Sequence, residues 1–171
     1  MKKILFGLLY LGTVVMAEIT NIPVTVEFVE SNKTKIIDIR TESEWRDLGV
    51  IKDAHFITFF NEKSKYDIDA FLKKLNRVIE KGEQFAIISN SASRTKLISN
   101  LLGHKLDYDV VNLIGGMEKL IDEGYEVQKY IPEEEIALLK REKVKNEHIE
   151  KEKIVILKKE VLALNDNNST K

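Results

Sequence analysis

The sequence contains no cysteine among its 171 residues. This absence excludes disulfides, thiolate metal ligands, cysteine nucleophiles and lipoprotein anchors, which are attached through a cysteine. Acidic and basic residues nearly balance, 28 against 27, so the chain lacks the strong basic excess typical of nucleic-acid-binding proteins. With only two prolines and eight glycines, it also contains no linker rich in these residues, and no internal repeat. The stability of the protein must therefore come from a packed core alone.

The N-terminus combines two lysines with an apolar run. Met1-Lys2-Lys3 precedes the apolar residues 4–16, a run shorter than the ~20 residues of a membrane-spanning helix. The small residues around Ala17 fit a signal peptidase site. We expect residues 1–17 to be a cleaved signal peptide, which places the protein in the periplasm without a membrane anchor. A retained anchor is the alternative.

Apolar strand-like runs alternate with helical patterns between residues 35 and 123. The predicted strands are residues 35–39, 56–59, 85–89 and 110–113. The predicted helices are residues 41–48, 67–80, 94–106 and 117–123. Residues 24–31 fit either a strand or a helix. Because the predicted strands are apolar throughout, they indicate a parallel sheet covered on both faces, so the expected fold class is α/β with three α/β/α layers.

The most distinctive segment is a loop of small residues between a predicted strand and a predicted helix. Its residues are Ser89, Asn90, Ser91, Ala92, Ser93 and Arg94. Such a loop directs backbone N–H groups at one spot and can cradle an anion. Ligand sites in parallel sheets lie at the carboxyl ends of the strands. Asp38, Arg40 and Ser89 are all predicted to fall at that edge.

This loop resembles the active-site loop of rhodanese-type sulfurtransferases, which reads Cys-Arg-Xaa-Gly-Xaa-Arg. Ser89 stands in the place of the cysteine, Asn90 in the place of the first arginine and Ala92 in the place of the glycine, whereas Arg94 is retained. Two further segments resemble the other signatures of the family, so that the resemblance spans residues 36–127. The signature residues in these segments are Asp38, Arg40, Glu44, Trp45, Gly115 and Gly116.

The resemblance implies a rhodanese-like domain over residues 18–131. It also implies that the persulfide chemistry of the family is impossible for this chain, because that chemistry needs a thiolate. We expect no catalytic residue and no cofactor, and interpret the protein as a pseudoenzyme that serves as a binding or scaffolding module. The alternative is a sulfurtransferase-related protein that binds a small anion at residues 89–94 or assists a thiol-bearing partner. A serine nucleophile at Ser89 would need an adjacent general base.

Most of the signature residues have a structural explanation. Thr41 and Glu44 form the pattern of a capping box, and Trp45 is expected in the core. Asp38 and Arg40 are expected to form a salt link that holds the fold. We therefore expect structural roles for the six signature residues: Asp38, Arg40, Glu44, Trp45, Gly115 and Gly116.

Two residues have alternative interpretations. Arg94 is interpreted either as a clamp on the loop or as a residual anion ligand. His55 is expected to be a buried or edge histidine, with a metal ligand as the alternative. No cluster of histidine and carboxylate residues has the spacing of metal ligands, so no metal is expected.

Residues 132–171 form a charged C-terminal extension. Pro132 and the acidic residues after it are a good helix start, and residues 133–160 carry eight acids and eight bases. This pattern predicts a solvated helix with a thin apolar stripe of Ile136, Leu139 and Val144. Apolar segments at 154–157 and 161–164 then precede a polar tail. The extension either folds against the domain or forms a surface for self-association or for a partner protein of the envelope.

Asn32 and Asn168 lie in two segments of the form acid-Xaa-Asn-Xaa-Thr. This form resembles the acceptor sequence of bacterial N-glycosylation. The two asparagines are therefore candidate glycosylation sites, with ordinary polar turns as the alternative.

Overall fold

The computed structural model describes residues 19–31 and 33–168. The predicted signal peptide and Asn32 lie outside these residues. The chain divides into two compact units, with the boundary between Lys129 and Tyr130, two residues before the end of the predicted domain at Ile131. The first unit is an α/β domain, and the second contains a single long helix.

The first unit is built around a parallel sheet of five strands. The strands are β1 (Ile19–Pro23), β2 (Lys35–Asp38), β3 (His55–Phe56), β4 (Phe85–Ile88) and β5 (Val110–Ile114). Their order in the sheet is β1-β5-β4-β2-β3, and every neighbouring pair is parallel. The helices of this unit are α1 (Val26–Glu30), α2 (Glu42–Leu48), α3 (Ile68–Leu75), α4 (Ser93–Asn100) and α5 (Gly116–Asp122).

Two hydrophobic clusters cover the two faces of the sheet. Successive residues of a strand point to opposite faces, so Ala86 and Ile88 of β4 belong to one cluster and Phe85 and Ile87 to the other. The first cluster includes residues of α1 and α5, and the second includes residues of α3 and α4. The predicted three-layer α/β/α architecture is therefore confirmed, and it explains why all four residues of β4 are buried.

The structure decides the ambiguous segment and adds an unpredicted strand. Within residues 24–31 the chain forms the helix α1 (Val26–Glu30), whose N-cap Thr25 accepts a hydrogen bond from the N–H of Phe28 at 3.2 Å. The edge strand β1 pairs along its whole length with β5. The β1 sequence contains Asn21 and Pro23, and its pairing with a distant strand leaves no local pattern that predicts it.

Three predicted elements are shorter or less regular than expected. The helix predicted over 67–80 ends at Leu75, because tight turns follow in which Arg77 and Val78 donate to carbonyls three residues earlier. The strand predicted over 56–59 is only His55–Phe56. The helix predicted over 94–106 changes after Asn100 into a π-helical turn, Leu101–Lys105.

The second unit contains α6 (Glu133–Asn168), a continuous helix of 36 residues. It extends past residue 160 to Asn168, where separate apolar segments and a polar tail were expected. At 100° per residue, Leu138 and Ile149 lie away from the arc of the predicted stripe, so the apolar residues of α6 are spread around the helix. Among the described residues, no helix combines the length and the apolar composition needed to cross a bilayer.

Candidate functional site

Ser89 follows β4 at the carboxyl edge of the sheet and is fully buried. Its Oγ finds no hydrogen-bond partner among the described residues. Its carbonyl oxygen accepts a hydrogen bond from the N–H of Met117 at 2.9 Å, and that of Asn90 accepts one from Glu118 at 3.0 Å. The start of the loop is therefore fixed by the backbone of α5.

The two signature glycines form the turn on which this loop rests. Gly115 and Gly116 both have a positive φ, +97° and +63°. A Cβ on Gly116 would lie 2.3 Å from the carbonyl oxygen of Asn90 and 2.4 Å from that of Ser89. Because backbone atoms cannot yield to such a contact, the close approach of α5 to the loop requires glycine at this position. The sequence indicated a structural role for the two glycines but not this close approach.

Ala92 adopts the left-handed conformation, with a φ of +63°. It immediately precedes α4 and makes no side-chain cap. The left-handed conformation costs a residue with a Cβ about 1–2 kcal/mol of conformational free energy. The alanine that stands in the place of the family glycine therefore sits on a strained backbone.

Arg94 is bound to Glu44 through two hydrogen bonds. Its Nη1 donates to Oε2 at 2.8 Å and its Nη2 to Oε1 at 2.5 Å, and about a quarter of each side chain is exposed. The hydrogen bond to Glu44 raises the pKa of Arg94 above its ordinary value. Burial raises the pKa of Glu44, but hydrogen bonds from Arg94 and Thr41 outweigh it and lower that pKa. This geometry is that of a clamp between the loop and α2.

The signature segment that contains Asp38, Arg40, Glu44 and Trp45 forms a buried network beside the loop. Asp38 and Arg40 are fully buried, and the Arg40 Nη2 donates to Asp38 Oδ2 at 2.7 Å and to the carbonyl of Gly49 at 2.9 Å. Both halves of the predicted capping box of α2 are present. Trp45 is buried and packs against Phe56 with 5.3 Å between the ring centroids. These contacts hold the elements that carry the site.

Asn90 is linked to a carboxylate that the sequence did not single out. Its Nδ2 donates to Glu118 Oε1 at 2.6 Å. An arginine at this position would bring a positive charge to the mouth of the loop, whereas the asparagine leaves the charge of Glu118 in place. The loop mouth is therefore less cationic than the family pattern implies.

A groove of about 470 Å³ runs beside the loop. It is lined by Thr41, Ser43, Glu44, Phe60, Asn61, Glu62, Ser64, Ser93 and Arg94. Residues 60–64 belong to a turn that was not among the predicted elements. The polar run Asn61-Glu62-Lys63-Ser64 between aromatic residues is typical of a turn and could have indicated it.

No metal site is present among the described residues, since no three histidine, aspartate or glutamate side chains come together there. His55 is half-buried on β3, as expected for an edge histidine. Burial lowers its pKa, and the positive charge of Lys35 lowers it further. Asn168, the second glycosylation candidate, is the last residue of α6.

Comparisons with known proteins identify a family for this chain. The family model of the rhodanese-like domain matches residues 25–123. No curated protein matches the chain. A solved rhodanese-like domain protein from Staphylococcus aureus is 27% identical, covers 64% of this chain and 99% of its own, and has a TM-score of 0.47. A rhodanese-related protein from Thermoplasma volcanium is 20% identical, covers 63% and 98%, and has a TM-score of 0.48.

The family model covers more than half of the chain and spans the loop, the buried Asp38–Arg40 pair and the glycine turn. The cysteine of the family loop is absent from the whole sequence. The chain belongs to the rhodanese-like domain family and is a member without cysteine.

Proposed function

We propose that this protein is an exported, non-catalytic binding module of the rhodanese-like family. The observation that carries the proposal is Ser89, a buried hydroxyl at the nucleophile position for which the described residues 19–31 and 33–168 offer no hydrogen-bond partner that could take its proton. A serine needs a hydrogen-bonded base to act as a nucleophile, and a hydroxyl forms no counterpart of a persulfide. The scaffold around it is nevertheless kept in place by Gly116 and Arg94.

The long helix α6 supports a role in binding a partner protein. Its apolar side chains Leu138, Leu139, Val144 and Leu157 are at least half exposed. Residues 133–160 of the helix also carry acids and bases in equal number. Exposed apolar side chains are candidates for contact with a partner, and those of α6 lie on more than one side of the helix. We assign this helix to an envelope partner.

Crosslinked affinity capture from the native envelope tests the proposal. The full chain would be compared with a version that ends at Ile131, after circular dichroism has shown that both are folded. We expect a specific partner that is captured by the full chain and lost from the shorter one. Capture of no specific partner by either version would contradict the proposal.

Export itself has a separate test. The intact mass of protein from the native host should correspond to a chain that starts at Glu18, since we assign residues 1–17 to a signal peptide. Glycosylation at Asn32 or Asn168 would add the mass of a glycan to that value. A mass that includes Met1–Ala17 would contradict the proposed export.

A small anion at the loop is the second candidate function. It is favoured by the Oγ of Ser89, which has no hydrogen-bond partner in the described part of the chain and lies beside the N-terminus of α4, where backbone N–H groups are available. In this case the protein would bind a sulfur-containing anion and assist sulfur transfer by a partner protein that carries the reactive thiol. Thiosulfate and cyanide with the protein alone should give no thiocyanate. A rate above background that Ser89→Ala abolishes would show that the chain is an enzyme.

A further inference from the structure

A structured turn forms one wall of the groove beside the loop. Phe60 and Tyr66 face each other in an antiparallel bridge. Between them, Asn61 Oδ1 accepts hydrogen bonds from the N–H groups of Lys63 and Lys65, both at 3.0 Å. The carbonyl oxygen of Asn61 also accepts from the N–H of Ser64 at 2.8 Å. These hydrogen bonds fix the backbone of the turn, whose polar side chains Asn61, Glu62 and Ser64 line the groove.

This wall has hydrogen-bonding capacity that the protein does not use. The oxygen of the Asn61 amide is occupied by the turn, which leaves its NH₂ group with two donors. Glu62 accepts from the Ser43 hydroxyl at 2.8 Å through Oε1, which leaves Oε2 as an acceptor. Within the described chain, neither of these groups nor the Ser64 hydroxyl has another hydrogen-bond partner. Donors and an acceptor thus lie side by side along one groove.

The charges of the groove oppose an anionic ligand. Arg94, the one cation of the lining, is neutralised by the two hydrogen bonds to Glu44. Glu62 then leaves the lining with one negative charge. Lys63 and Lys65 belong to the turn but do not line the groove. An anion in the groove would contact the guanidinium of Arg94, already paired with Glu44, and would be repelled by the carboxylate of Glu62.

An aromatic ring supplies the apolar part of the groove. Phe60 lines it and is held in place by two ring contacts, to Phe59 at 4.9 Å and to Tyr66 at 5.6 Å between centroids. A supported ring offers a flat apolar surface at little entropic cost. The volume of about 470 Å³ lies in the range of ~300–1,000 Å³ typical of small-molecule sites.

We infer that this groove binds a neutral saccharide unit. A sugar presents an apolar C–H face, which fits the ring of Phe60, and hydroxyls that both donate and accept. Those hydroxyls accept from the Asn61 amide and donate to Glu62, as these groups require. The inference rests on the proposed binding function. It names a neutral saccharide as the ligand of the groove, in place of the small anion of the second candidate function.

Titration of the ¹⁵N-labelled full-length protein, followed by NMR, tests the inference. The probes are N-acetylglucosamine, glucose and the neutral disaccharide maltose, with thiosulfate and acetyl-lysine methylamide as charged probes. We expect at least one sugar to give saturable shifts confined to residues 41–44, 60–64 and 93–94. A disaccharide that binds more tightly than its monomer indicates a glycan chain as the source, and equal affinities indicate a free sugar.

A matched pair of variants locates the site. Asn61→Asp keeps the oxygen that holds the turn but removes the two donors, and should weaken sugar binding about thirtyfold, since the two lost hydrogen bonds contribute about 1 kcal/mol each. Asn76→Asp is the control, because Asn76 also uses only its amide oxygen in a described contact, accepting from the Tyr108 hydroxyl, and lies outside the groove. It should leave binding unchanged.

Three outcomes would overturn the inference: binding of only a charged probe, sugar shifts that do not saturate, and equal effects of the two variants. None of these outcomes touches the proposed function, which the capture experiment tests independently. If the protein captures a partner but binds no sugar, the proposed binding function is supported and only the saccharide site is refuted.

Discussion

Replacement of Gly116 by alanine should destabilise the domain far more than replacement of another glycine with positive φ. The added Cβ would lie 2.3 and 2.4 Å from two carbonyl oxygens of the 89–94 loop. The left-handed conformation contributes about 1–2 kcal/mol to the loss, and the overpacking adds about 1–3 kcal/mol. The sum is about 2–5 kcal/mol, a large part of the ~5–15 kcal/mol that stabilises a typical domain.

Gly124→Ala and Gly82→Ala are the matched controls. Both glycines have a positive φ, +90° and +79°, but a Cβ on either would meet no atom within 4 Å. These variants should therefore lose only the conformational part. The difference between Gly116→Ala and the controls measures the contact between α5 and the loop.

Urea unfolding provides the assay, with fluorescence from Trp45, the single tryptophan of the chain, as the signal. Trp45 is buried in the domain, so its emission reports the loss of the core. We expect the midpoint to fall with little change in the slope, because the surface exposed on unfolding stays the same. Free energies of unfolding within about 0.5 kcal/mol for Gly116→Ala and Gly124→Ala would refute the reasoning.

Three further predictions follow from the buried network, the clamp and the nucleophile position. Asp38→Asn should cost about 3–5 kcal/mol in the same assay, because it leaves the fully buried Arg40 without its carboxylate; a loss below about 1 kcal/mol would contradict this role. Glu44 has a lower pKa in the folded protein than its ordinary 4.5, so the stability advantage over Glu44→Gln should be constant near neutral pH and shrink as the pH falls below about 4.5; an advantage that grows in acid would show the opposite sign. A thiol introduced by Ser89→Cys should react with Ellman's reagent at least roughly 100-fold more slowly in the native protein than in urea, because the site is fully buried, and rapid labelling of the native protein would show an open site.

Local patterns were sufficient for the elements whose stabilising contacts are local. The capping box of α2 joins Thr41 to Glu44, three residues apart, and both halves are present. The apolar run of β4 predicted a buried strand because both faces of a parallel sheet are covered. Helix α3 was overextended by five residues, since Ile79 continues the apolar spacing after the backbone has turned.

The candidate site was predicted only in part. Its position at the carboxyl edge of the sheet follows from the order of strands and loops. The order of strands and loops does not predict which side chains pair at the site, because Arg94 and Glu44 are 50 residues apart and Asn90 and Glu118 are 28 apart. The turn at residues 60–64 approaches the loop from a third part of the chain.

The sequence by itself determined that this protein has no cysteine chemistry, that its core is an α/β fold and that its C-terminal segment is a charged helix. These properties depend on composition and on patterns within a few residues. The tertiary structure decided that β1 joins the sheet, that Arg94 is bound by a carboxylate, that α5 lies against the loop through Gly116, and that a groove lined by Phe60 and polar side chains opens beside it. Each of these is a contact between residues far apart in the chain, and only the folded backbone sets the distances between them.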